Sequence, residues 1–177
     1  FPGAYFLWSY QQQRSDLPAI RYLRPDPAFM AGWPLFATYL MDHDLQLFSN
    51  DPLARLGYLH QRQLAAELAL LDGFLFQENG APDSAVVRLH RRTGLPLAQA
   101  ETWVAFCLAQ PGQGSAALSG FLSLRQLRRQ TKERLGEAYY PRAFHQTLLT
   151  YGPAPFPLLQ AWFAGWDGRP LLPESSL

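Results

Sequence analysis

From Pro52 to Phe76 the chain reads PLARLGYLHQRQLAAELALLDGFLF. Leu53, Leu56, Leu64, Leu68, Leu71 and Leu75 recur at the three- and four-residue intervals that place side chains on one face of a helix. Ala66, Leu70 and Phe74 add a second apolar side. Asp51 stands directly before Pro52, as an N-cap stands before a first-turn proline. A helix apolar on two sides is expected to lie inside a bundle rather than on its surface.

The same punctuation recurs along the chain. Pro27, Pro82, Pro96 and Pro141 each precede a stretch of helical periodicity, and Asp26 precedes Pro27 as a second N-cap. The pattern predicts helices over residues 4–13, 28–48, 83–92, 97–109, 114–135, 142–151 and 157–166, beside 52–76. Alternating runs that would read as strands are scarce, and no internal repeat or linker divides the chain. The expectation is an all-α, multi-helix bundle: a single helical domain over residues 1–166, with an irregular tail over 167–177.

One hundred and seventy-seven residues suffice for one domain with a proper core. Hydrophobic residues at 48% and aromatics at 14% exclude a disordered chain. A formal charge of +1 gives no reason to expect nucleic acid or an acidic membrane surface as a partner. The single cysteine, Cys107, permits no internal disulfide and suits a reducing compartment, which tilts the expected location toward the cytoplasm. The chain starts at Phe1 without a signal-peptide pattern, which reads as a processed product or a fragment. Residues 102–124 carry no charge, but Gln110-Pro111-Gly112-Gln113-Gly114-Ser115 interrupts them. A span needs about 20 mostly apolar residues without such a break, so two helices joined by a turn are expected there and no membrane span.

Several short blocks occur in a fixed order: Phe1-Pro2-Gly3-Ala4-Tyr5, Ala31-Gly32-Trp33-Pro34-Leu35-Phe36, Pro111-Gly112-Gln113, Leu127-Arg128, Leu135-Gly136, Phe144-His145 and Gly152. In this order they resemble the C-terminal part of a bacterial metallopeptidase-like family, the domain-of-unknown-function family 885. Its signatures run H-E-A-x-P-G-H-H, E-G-W-x-L-Y, D-x-G-I-H, P-G-Q-x-x-x-Y-K and F-H-D. Leu17-Pro18-Ala19-Ile20-Arg21 resembles the family's loop between the first two motifs. The resemblance covers about residues 2–166 and implies the helical C-terminal part of a gluzincin-like peptidase, with the N-terminal half absent.

A hydrolytic zinc site needs about three protein ligands and an open position for water, whose pKa the metal lowers toward neutrality. Under the resemblance, Ala4 and Tyr5 stand where the family has paired histidines, and Ala31 where it has a glutamate. Phe36 replaces a tyrosine, and Phe76 a histidine if Asp72 is the matching aspartate. Ala117 and Leu118 replace a Tyr-Lys pair. Each exchange puts an aliphatic or aromatic side chain where a charged or polar one stood. No metal and no other cofactor are expected.

The remaining reactive residues have simpler readings. His43 lies between Asp42 and Asp44, but consecutive helix positions point in different directions and cannot converge on one ion. His60 and His90 have no partner at ligand spacing, and His145 is expected to cap or bridge helices. Cys107, among Trp103, Val104, Phe106 and Leu108, is expected to be a buried, protonated thiol. Ser115, Ser119 and Ser123 lack a nucleophile-elbow pattern. The basic run from Arg125 to Arg134, with leucines at 124, 127 and 135, reads as the exposed face of an amphipathic helix.

The function expected is that of a catalytically inactive, metal-free helical domain serving as a structural or partner-binding subunit. A protein partner or oligomer would cover its apolar surface, for which Phe1, Phe6, Trp8 and the tail around Pro170 are candidates. Two other readings stand beside it. One is a fragment or subunit of a hydrolase completed by another chain. The other is a small-molecule binding module in which Trp33, Phe36 and Phe76 border a cleft for an apolar ligand.

Overall fold

The starts of two helices are written in their capping residues. Asp26 Oδ1 accepts from the Phe29 N–H at 2.8 Å, and Asp51 Oδ1 from the Ala54 N–H at 2.9 Å. Both aspartates therefore cap helices, as expected from their positions before proline. The computed structural model describes residues 7, 9, 10, 20 and 23–170. These form α1 (Pro27–His43), α2 (Pro52–Phe76), α3 (Pro82–Thr93), α4 (Leu97–Ala109), α5 (Gln113–Leu135), a short 3₁₀ turn (Gly136–Ala138), α6 (Pro141–Tyr151) and α7 (Phe156–Gly165). No strand occurs among the described residues, so the protein is an all-α, multi-helix bundle. The helix expected over 4–13 falls mostly outside the described residues.

Two expectations need correction. The helix predicted over 28–48 stops at His43. The Asp44 and Leu45 N–H groups both reach the Leu40 carbonyl, and Gln46 adopts φ +50°, which no continuing helix permits. The two apolar sides of α2 are also not both buried. Leu68, Leu71 and Leu75 are in the core, whereas Leu53, Leu56 and Leu70 are exposed. The helices packed on α2 are about half its length, so they cannot enclose all of it.

The described residues form two compact units, one of residues 35–119 and one drawn from 1–34 and 120–177. The division falls inside α1, after Pro34, and inside α5, before Gly120. Pro34 has no N–H to offer the carbonyl four residues back.

In the 35–119 unit, α2, α3 and α4 pack on one another around Leu68, Leu71, Leu75, Ala85, Leu89, Ala100, Val104 and Cys107. The other unit has an aromatic core. Phe144 meets Phe163 at 5.0 Å between centroids, Phe163 meets Trp166 at 5.4 Å, and Phe29 meets Phe156 at 6.3 Å. Here α1 and α5 touch backbone to backbone. A Cβ on Gly32 would overlap Gly120 and the Phe121 nitrogen, and one on Gly120 would overlap the Ala28 carbonyl. That contact accounts for glycine at both positions. Of the tail over 167–177, residues 167–170 are described and carry no helix or strand. Arg134 Nη2 donates to the carbonyls of Phe163 (2.8 Å) and Trp166 (2.5 Å), and Trp166 Nε1 donates to the Arg169 carbonyl (2.7 Å).

Candidate functional site

The first turn of α5 follows Pro111-Gly112 and contains no Ser, Thr, Asp or Asn at its N-cap, where Gly112 sits at φ +86°. A left-handed glycine makes the turn but brings no side-chain oxygen for the free N–H groups of the new helix. Asp72, one turn before the end of α2, supplies it. Its Oδ2 accepts from the Ser115 N–H at 2.7 Å, across 43 residues of sequence. Gly114 lets the carboxylate in, because a Cβ there would lie 2.7 Å from the Leu68 carbonyl oxygen and 3.0 Å from Asp72 Oδ2.

Asp72 is 7% exposed, and its Oδ1 is buried without a donor among the described residues. A buried carboxylate is costly unless it is hydrogen-bonded or faces positive potential. The N-terminus of α5 provides both the N–H and the positive end of the helix dipole. Cys107 packs in the same core. Burial pushes its thiol up to about 11, with the charge of Asp72 adding to the effect. It is a buried neutral thiol, not a nucleophile.

Positions singled out from the sequence fall as follows. On α1, Ala31 is partly buried, Trp33 is buried and stacked on Phe29 (5.9 Å), and Phe36 is fully buried and stacked on Tyr39 (6.5 Å). Phe76 ends α2 and is 43% exposed. Ala117 and Leu118 are partly buried in the second turn of α5. Phe36, Phe76, Ala117 and Leu118 thus belong to the 35–119 unit, and Ala31 and Trp33 to the other. Ala4 and Tyr5 lie outside the described residues.

The histidines are spread over four helices. His43 is an exposed helix end bonded to Asp44 Oδ1 at 2.9 Å. His60 Nε2 lies 3.3 Å from the Thr93 carbonyl, and His90 Nδ1 lies 2.7 Å from the Leu95 carbonyl. His145 is edge-on to Phe144. Among the described residues no three His, Cys, Asp or Glu side chains gather closely enough to hold a metal ion. No described helix is long and apolar enough to cross a membrane.

Sequence reasoning missed two features. One is the cap from Asp72. The other is the groove where Asp83, Ser84, Val87, Arg88, Arg91 and Arg92 line α3. Arg88 lies over the Phe74 ring at 5.3 Å, and Arg92 pairs with the buried Glu67 at 2.6 Å. The basic run noticed in the sequence, 125–134, is elsewhere and is mostly exposed on α5, with Leu124, Leu127 and Thr131 turned inward.

The family model described as bacterial protein of unknown function (DUF885) matches residues 1–162. The chain belongs to this family. The solved structure named "putative lipoprotein from Colwellia psychrerythraea" is similar, with a TM-score of 0.87 and 26% identity over 94% of this chain. A second, "a putative lipoprotein of unknown function from Shewanella oneidensis", shares the fold, with a TM-score of 0.80 and 20% identity over 93% of this chain. This DUF885 chain corresponds to 28% and 30% of the length of those two proteins. No curated protein matches it.

Proposed function

We propose that this DUF885 chain is a catalytically inactive, metal-free helical module, related to a zinc-peptidase-like fold, that acts as a structural, polypeptide-binding subunit. The observation that carries this reading is Phe36. Where the resemblance implies a tyrosine, its ring is fully buried and stacked on Tyr39. Ala31, five residues earlier, stands where the resemblance implies a glutamate ligand and has no lone pair to give.

Asp72, the one acidic residue shared with the resembled motifs, is engaged in capping α5. This supports a structural use for what the chain retains. The rings expected to border a ligand cleft support the same reading, since Trp33 and Phe36 are both buried against neighbouring rings.

Thermal unfolding in the presence of zinc or of a strong chelator tests the proposal. A ligand that binds only the native state at a hundredfold excess over its Kd stabilises by about 2.7 kcal/mol. The module is expected to show the same Tm with zinc, with chelator and with neither. A Tm lowered by chelator and restored by zinc contradicts it.

A further inference from the structure

Helix α3 buries Ala85, Leu89 and Thr93. Its other side carries Ser84, Val87, Arg88 and Arg91 at three- and four-residue intervals, which places them on one stripe. With Asp83 and Arg92 at the margins, they line a groove of about 510 Å³, within the size range of small-molecule sites.

Two of the three arginines are held in place by α2. Arg88 lies over the Phe74 ring at 5.3 Å. That ring is backed by Gly80, where a Cβ would overlap it and whose N–H donates to the Phe74 carbonyl at 2.8 Å. Arg92 Nε donates to Oε2 of the buried Glu67 at 2.6 Å. This bond uses Nε and leaves both Nη groups for a ligand, on a side chain that is 53% exposed. Guanidinium groups fixed in advance lose less freedom on binding.

Charge decides what the groove can take. Glu67 pairs with Arg92, whereas neither Arg88 nor Arg91 has a carboxylate within ion-pair distance among the described residues. Asp83, the acidic residue of the lining, stands one and a half and two turns earlier, about 7.5 and 12 Å along the helix axis. The negative end of α3 accounts for cations at 91 and 92, but not for Arg88 a turn before. Two uncompensated guanidinium groups suit a dianion. A carboxylate brings one charge, whereas a phosphate monoester brings about −1.5 to −2 and three oxygens for the guanidinium forks. Val87, exposed beside the arginines, offers apolar surface to the esterified body.

We infer that the α3 groove binds a small phosphate monoester, with Arg88, Arg91 and Arg92 on the phosphate oxygens and Val87 against the organic part. The inference is independent of the metal-free reading, because none of the positions compared with zinc ligands lines the groove.

The test is titration of the 177-residue chain with phenyl phosphate at constant ionic strength, followed by the arginine Nε–H NMR signals. Those of Arg88, Arg91 and Arg92 are expected to shift saturably, while the signal of Arg129, exposed on α5, stays in place. Benzoate, with the same ring and a single charge, is expected to bind about tenfold more weakly. Inorganic phosphate should also bind more weakly, since it leaves Val87 bare. Benzoate or inorganic phosphate binding as tightly as phenyl phosphate overturns the inference, as do equal shifts at Arg129. Binding to phosphatidate vesicles without binding to the soluble ester overturns it too. The double variant Arg88→Gln/Arg91→Gln is expected to lose affinity about tenfold or more, read at Arg92, with unchanged circular dichroism. Arg91→Gln alone, at an exposed position, should lose about threefold or more. Unchanged affinity in either variant overturns the inference.

Discussion

Asp72 on α2 caps α5: its Oδ2 accepts from the Ser115 N–H at 2.7 Å, although the two residues are 43 apart in sequence. One hydrogen bond therefore joins the C-terminal end of one helix to the first turn of another. The joint is sealed by Gly114, which has no side chain to obstruct the carboxylate.

Removing the carboxylate should be costly. Asp72→Ala deletes the cap and strands the Ser115 N–H, for an expected loss of about 1–3 kcal/mol in urea unfolding. Asp72→Asn keeps an acceptor and should lose less. Equal stability of wild type and Asp72→Ala would show that water replaces the cap without penalty.

The touching backbones of α1 and α5 give a prediction with an internal control. Gly120→Ala places a methyl on the Ala28 carbonyl and Gly32→Ala places one on Gly120, so each is expected to cost at least about 1–3 kcal/mol. Gly57→Ala, in the exposed part of α2 with nothing within 4 Å, should instead stabilise by about 0.5–1 kcal/mol. Calorimetry of the three variants should rank Gly57→Ala highest and Gly120→Ala lowest. The opposite order would contradict the close approach.

Much of the architecture was legible before the structure, for identifiable reasons. Proline at the first turn and aspartate before it located the starts of α1 and α2, and Leu97–Ala109 and the end of α5 at Leu135 fall where the periodicity placed them. What failed was whatever depended on distant neighbours. The leucines of α2 repeat evenly from 53 to 75, but nothing in that repeat says that α3 and α4 are too short to cover the first two turns. Local pattern likewise carried α1 to Phe48, whereas the chain turns at Leu40–Gln46. The role of Asp72 was hidden for the same reason. The one available hint was a helix opening on Pro111-Gly112-Gln113 with no capping side chain of its own.

Cys107 provides a pH test. Burial, aided by Asp72, raises its thiol from 9.0 to about 11, so the folded state favours the neutral form. Below about pH 9 the thiol is protonated in both states and its contribution is fully present. Between pH 9 and 11 the unfolded chain ionises first, and that contribution to stability is lost. The stability difference between wild type and Cys107→Ala should therefore be constant up to pH 9 and then shift against the wild type. At pH 8, iodoacetamide should label Cys107 only after denaturant is added. Labelling of the native protein at the rate of a free thiol would contradict the buried, protonated assignment.

The most direct test is the zinc content of the purified chain after equilibration with micromolar zinc and exhaustive dialysis. Side chains without donor atoms at positions 31, 36 and 76 predict well under one equivalent, and no gain in peptide hydrolysis. One full equivalent, retained through dialysis and removed only by a strong chelator, would contradict the central claim.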